Sequence, residues 1–187
     1  MRLDLSPAKA SLGRFTGTDQ TVAKMLEFAL GKEGEQNIKV RQWSEQIIRH
    51  VAPKDYLSEI LALRHWATSP WVRYTNDAAH VEQIKTPYRS LLELEQTGAT
   101  LLDCDDIALL LAALGMSVGR EASYVVVGFD APIVLRPGML PVYTHVFCRM
   151  KEPRSRTWIV CDPVAGPNEA QMLSRVKQYK IWEVQPQ

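Results

Sequence analysis

The sequence predicts an α+β fold, with helices filling the first part of the chain and an antiparallel sheet most of the last. Two observations carry that expectation. Apolar residues recur three and four apart through the N-terminal third, and again in the DDIALLLAALG segment after Cys104. Beyond Gly119 the chain changes to β-branched and aromatic runs, ASYVVVGF, VYTHVFCRM, TWIVCD and YKIWEV, separated by proline and glycine clusters. Helices first and strands after suit a sheet with helices packed on one side, not a sheet of alternating parallel crossovers.

The elements follow in order. Residues 18–31 read as a helix with Thr18 or Asp19 as N-cap, Val22, Met25, Leu26 and Ala29 on one face, and Gly31 as the stop. Residues 37–52 repeat the pattern through Val40, Trp43, Ile47, Ile48 and Val51, and Pro53 ends it. A third helix is expected over about 55–67. WVRY is a short strand candidate and TNDAAH a turn. Thr86 and Pro87 supply an N-cap and an N1 proline for a short helix ending near Gly98. From Cys104 a stronger helix begins, with Ile107, Leu110, Leu111 and Leu114 on one face and Gly115 expected at the C′ position.

A chain of 187 residues suits one domain, 1–187, with residues 1–70 as a mainly helical layer and 71–187 as the sheet-bearing core. Lys plus Arg number 22 against 21 for Asp plus Glu, and no basic stretch interleaved with aromatics could track a phosphate backbone, so nucleic acid is not an expected partner. No segment has the apolar length of a signal peptide or a membrane span, which predicts a cytoplasmic protein with no membrane partner. Three cysteines do not make a disulfide framework; in a reducing compartment each is a thiol to be explained separately.

Cys104 opens its helix, where unpaired N–H groups favour a thiolate and could also receive an oxyanion. Asp103, Asp105 and Asp106 surround it with negative charge that would oppose the thiolate if aimed at the sulfur. Neighbouring helical positions diverge, so Asp105 and Asp106 are expected to support the helix N-terminus instead. His145 sits in an alternating strand, suited to hold an imidazole as general base. Asp162 ends another strand before Pro163, at the sheet rim, where a carboxylate could fix the imidazole's tautomer.

Each residue alone has an ordinary structural explanation: a small buried hydrophobe, a histidine satisfied by a backbone carbonyl, a turn-forming Asp-Pro. His50, His65 and His80 lack comparable context. Zinc is not expected, since there is no C-x-x-C or H-E-x-x-H, and His145 and Cys148, three apart on a strand, project to opposite faces. No cofactor is expected.

Together DCDDIALLLAALGMSVGREASYVVVGF, YTHVFCRM and WIVCDP resemble the transglutaminase-like superfamily of papain-like cysteine enzymes, over roughly residues 70–165. That resemblance implies a papain-like core, with a nucleophile helix packed on an antiparallel sheet and added N-terminal helices, of the short bacterial or phage type. It also implies a Cys-His-Asp triad in which Cys104 is the nucleophile, His145 the base and Asp162 the orienting carboxylate, acting on a protein or peptide substrate. Hydrolysis by a peptidase or amidase is favoured over amine transfer by a crosslinking enzyme; the alternative is a module that keeps the fold and binds without turnover. One departure stands out. The family usually has glycine two residues before the cysteine, where this chain has Leu102. Trp66, Trp71 and Gln83 precede Cys104 at spacings suited to a side-chain oxyanion donor.

Overall fold

The structure is a computed structural model describing residues 17–76, 83–129 and 143–184. Three helices come first: α1 (Gly17–Leu30), α2 (Ile38–Ile48) and α3 (Tyr56–Trp66). Asn37 and Asp55 cap the second and third, accepting from Lys39 N–H and Ser58 N–H. Thr18 and Asp19 do not cap α1 but lie inside its first turn. There Asp19 Oδ1 accepts from Lys180 Nζ at 3.2 Å and ties the helix to the last strand.

Next come β1 (Val72–Tyr74), α4 (Pro87–Thr97) and β2 (Thr100–Leu102). The short strand expected near WVRY pairs in parallel with β2, a partner the sequence did not suggest, through Val72↔Thr100 and Tyr74↔Leu102. Within the TNDAAH segment, residues 77–80, including His80, lie outside the described residues.

The central helix, α5 (Cys104–Ser117), is capped by Asp103, whose Oδ1 accepts from Asp106 N–H at 3.2 Å. It runs past Gly115, which was expected to end it; Gly119, at φ 81°, makes the left-handed turn instead. Gly115 has a different role. A Cβ there would stand 2.6 Å from Met150 Sδ, so the glycine marks where α5 lies closest to the sheet. Every residue of α5 from Asp105 to Gly115 is buried, which is why this helix is apolar all round.

The sheet follows as β3 (Glu121–Gly128), β4 (His145–Lys151), β5 (Trp158–Cys161) and β6 (Gln178–Val184), with a 3₁₀ turn (Gly166–Asn168) and α6 (Glu169–Arg175) before β6. Its order is β5-β4-β3-β6, antiparallel throughout. The main core joins Val126, Val146, Cys148 and Met150 to α5 and to Val22, Met25, Val40, Ile60 and Leu63 of α1–α3. The helices are not confined to one side. Val125, Val127 and Phe147 on the other face form a second cluster against Met172 and Leu173 of α6. The architecture is thus α+β, with the helix that begins at Cys104 packed on an antiparallel sheet, as the papain-like expectation required.

Candidate active site

Where β4 meets its neighbours determines what its first residue can do. Pairing with β5 begins at Cys148↔Cys161, so the strand extends to His145 without β5 beside it. His145 opens the strand and is not flanked within it: Tyr143 and Thr144 precede the first strand residue. Asp162 follows the last residue of β5. There its Oδ2 lies 2.7 Å from His145 Nε2, while its Oδ1 accepts from the N–H groups of Val164 and Ala165 at 3.1 and 3.2 Å. The carboxylate is 1% exposed, so the imidazole reaches it through protein and not through water.

Nε2 being taken by Asp162, Nδ1 is the ring nitrogen left for a second partner, and Cys104, which lines the same cavity, is close enough for its thiol to act on the ring. Phe129 and Phe147 flank the ring at centroid distances of 6.4 and 6.1 Å and fix its plane. Burial by itself disfavours the imidazolium. The Asp162 and Cys104 hydrogen bonds and the negative charge of both groups outweigh it and push the His145 pKa up to about 9.

Cys104 and His145 line a cavity of about 470 Å³ together with Asp103, Asp105, Tyr143, Thr144 and, from α1, Gln20 and Thr21. Three residues far apart in sequence are therefore brought to one site, with Cys104 half-buried at its edge. The other two thiols are different. Cys148 and Cys161 face one another across β4 and β5, and burial drives the first well above the ordinary thiol range and the second to about 12.

The three aspartates divide by position. Asp103 caps the helix, and Asp106, expected to support the helix N-terminus, uses Oδ1 to accept from Lys85 N–H at 2.6 Å and so ties the segment before α4 to the start of α5. Asp105 departs from expectation, because it lines the thiol cavity. It is 3% exposed, and burial, then a hydrogen bond to Asp103 and the charges of Asp103, Asp106 and Cys104, raise its pKa to about 10. At neutral pH it holds a proton and adds no negative charge beside the sulfur. The oxygens of these three carboxylates lie within 4.8 Å of one another, the described acidic group compact enough to hold a cation.

Leu102, where glycine was usual, is fully buried and lies outside the cavity wall, so its side chain does not obstruct approach to the thiol. The three suggested oxyanion donors are elsewhere: Trp66 and Trp71 line a cavity with Trp43, and Gln83 lines one with Lys85 and Glu93. Gln20 stands on the thiol cavity instead. Tyr74, brought beside the start of α5 by its pairing with Leu102, has its phenol pKa raised by burial and then by the charges of Cys104, Asp103, Asp105 and Asp162. Neither carries a sequence signal, because a polar residue on an outer helix or a short strand looks like any solvated surface.

No helix among the described residues is long and apolar enough to cross a membrane. No protein-family model matches the chain, and no curated protein matches it. Among solved structures, it is similar to one described as a candidate cysteine protease from Cytophaga hutchinsonii, with a TM-score of 0.50 and 14% identity over 98% of this chain. The chain spans 61% of that protein's length. At this identity the likeness is one of fold alone.

Proposed function

We propose that the protein is a cysteine-dependent acyl-transfer enzyme of transglutaminase-like type, acting on a peptide or side-chain amide, with hydrolysis favoured over amine transfer. The observation that carries this reading is the 2.7 Å contact between His145 Nε2 and Asp162 Oδ2, which leaves the opposite face of a strongly basic imidazole to Cys104. A ring that holds its proton to about pH 9 is basic enough to take one from a thiol.

The thiolate of Cys104 attacks the amide carbonyl and forms a C–S bond. The first-turn N–H groups of α5, which have no helical acceptor, receive the oxyanion, and Gln20 on the opposite wall is the side chain able to join them. The imidazolium then gives its proton to the departing nitrogen as the C–N bond breaks, leaving a thioester. Water, deprotonated by His145, attacks that thioester; the acid departs and the thiol is restored. An amine in place of water would give a crosslink. Asp105, protonated at neutral pH, adds no charge to draw in an incoming ammonium, which favours water.

Iodoacetamide tests the reading directly. Near pH 7 Cys104 should be alkylated at least about a hundredfold faster than Cys148 or Cys161, and His145→Ala should erase that advantage. Equal labelling of the three thiols in the intact protein would instead favour a fold retained for binding without turnover.

A further inference from the structure

Five tryptophans occur in the chain, and three of them, Trp43, Trp66 and Trp71, line one cavity of about 390 Å³ in the N-terminal half. Its walls come from several elements. On α2, Trp43, Gln46 and Ile47 lie three and four apart, so one helix face turns toward it, and His50 continues that spacing just past the helix end. Trp66 ends α3, Trp71 precedes β1, and Leu94 with Gly98 closes the far side at the end of α4. The indoles of Trp43 and Trp66 meet at 5.8 Å between centroids, tilted by 50°, and form an aromatic corner, while Trp71 stands 44% exposed at the mouth. The volume lies in the range of small-ligand sites.

The polar groups around this space point to the charge of its occupant. Arg49 and His50 stand on the wall, and no carboxylate does. Arg49 Nε donates to His50 Nε2 at 2.9 Å, so that histidine nitrogen acts as an acceptor, and the guanidinium stands exposed on the wall. Trp43 Nε1–H is already engaged, donating to Glu95 Oε1 at 3.0 Å, and Glu95 is paired with Lys39. Aromatic faces beside a guanidinium suit a flat ring that carries a carboxylate, because ring stacking and a charge-assisted hydrogen bond are then made together.

We infer that this tryptophan-lined cavity is a binding site for an aromatic carboxylate, either a free small acid or the C-terminal aromatic residue of a peptide. The ring lies between Trp71 and the Trp43–Trp66 corner, and the carboxylate meets Arg49. This cavity shares no lining residue with the Cys104 cavity, so the inference stands or falls apart from the proposed chemistry.

The five indole N–H signals in a ¹⁵N spectrum of the full chain provide the readout. Added indole-3-propionate should move the Trp43, Trp66 and Trp71 signals along one saturable curve and leave Trp158 and Trp182 in place. Its amide and tryptamine should bind at least about tenfold more weakly, and Arg49→Gln should remove the preference for the acid over the amide. Trp71→Ala, at an exposed position, should weaken binding at least about tenfold without unfolding the protein. A tripeptide ending in tryptophan with a free carboxylate, if it binds more tightly than the small acid, identifies a peptide end as the ligand; the reverse order identifies the free acid. Absence of a saturable shift at millimolar probe, equal movement of all five signals, or equal binding of tryptamine would overturn the inference.

Discussion

The two ends of β4, a strand of seven residues, carry a thiol site and a sealed core. At the far end Gly115 lets α5 settle against Met150, Cys148 faces Cys161 across the sheet, and burial holds both thiols protonated. At the near end β5 has not yet begun to pair. His145 is bound to the first residue beyond β5, and a cavity opens between it and α1. The same residue type is sealed in the core at one end and set on a cavity with a histidine at the other. What differs is where a neighbouring strand stops.

The largest expected effect comes from breaking the open end. In Asp162→Asn the amide oxygen can keep the bonds that Oδ1 accepts from Val164 and Ala165, so the turn survives while the negative charge on Oδ2 is lost. The imidazole should then titrate well below about 9, and alkylation of Cys104 at neutral pH should slow by about 10²-fold or more. In the parent protein the profile for turnover should fall above about pH 9, where the ring gives up the proton it must pass to the leaving group; in the variant that limb should move down. Unchanged labelling and an unchanged limb would mean that the Asp162 contact does not govern the thiol. His145 also adds a stabilising contribution. Its folded-state pKa is raised, so that stabilisation is complete below about pH 6.5 and is lost as the pH climbs through about 9.

An effect of intermediate size comes from wedging the sealed end open. Gly115→Val places branched carbon against Met150 Sδ, which lies 2.6 Å from even the first added atom, in a buried layer with little room to yield. Overpacking of this kind costs about 1–3 kcal/mol, measurable by urea denaturation. Reactivity at Cys104, at the other end of α5, should be retained in the folded fraction. If this substitution silenced Cys104 while the protein stayed folded, the two ends would not be independent.

The contrast also shows which parts of the molecule were legible in the sequence. Cys104, His145 and Asp162 could be read because each sits at an element boundary, and boundaries leave marks: the onset of helical periodicity, a change to β-branched alternation, a proline after the carboxylate. The helix–sheet contact was legible through periodicity, although Gly115 looked like a stop until Met150 was known to lie against it. The cavity walls were not legible. Gln20 and Thr21 come from a helix more than eighty residues away, and the parallel β1–β2 pairing depends on how α4 returns the chain, which no local pattern encodes. Trp66 and Trp71 had suitable spacing but belong to a different cavity, since sequence distance does not say which face of a layer a side chain reaches.

The smallest expected effect tests the boundary between the two environments, at Asp105. This carboxyl is one residue from Cys104 yet as buried as the core, and its Oδ2 has no hydrogen-bond partner among the described residues. Its pKa is raised from 3.8 to about 10, so the folded protein keeps it protonated across a range in which the unfolded chain releases the proton. The unfolded state therefore gains relative to the folded one as the pH rises from about 4 to about 10, and roughly half of the cost is present at pH 7. Asp105→Asn removes the proton exchange while keeping the shape, and should stabilise the protein at pH 7 by about 1 kcal/mol. The gain should vanish near pH 3, where the parent residue is protonated in both states. Because a neutral amide and a protonated carboxyl place similar charge beside the sulfur, labelling of Cys104 at pH 7 should change by less than about threefold. A large loss of stability at pH 7 would show that Asp105 is ionised in the folded protein and belongs electrostatically to the open end of the strand, and a gain that persists at pH 3 would show that the effect does not come from its proton.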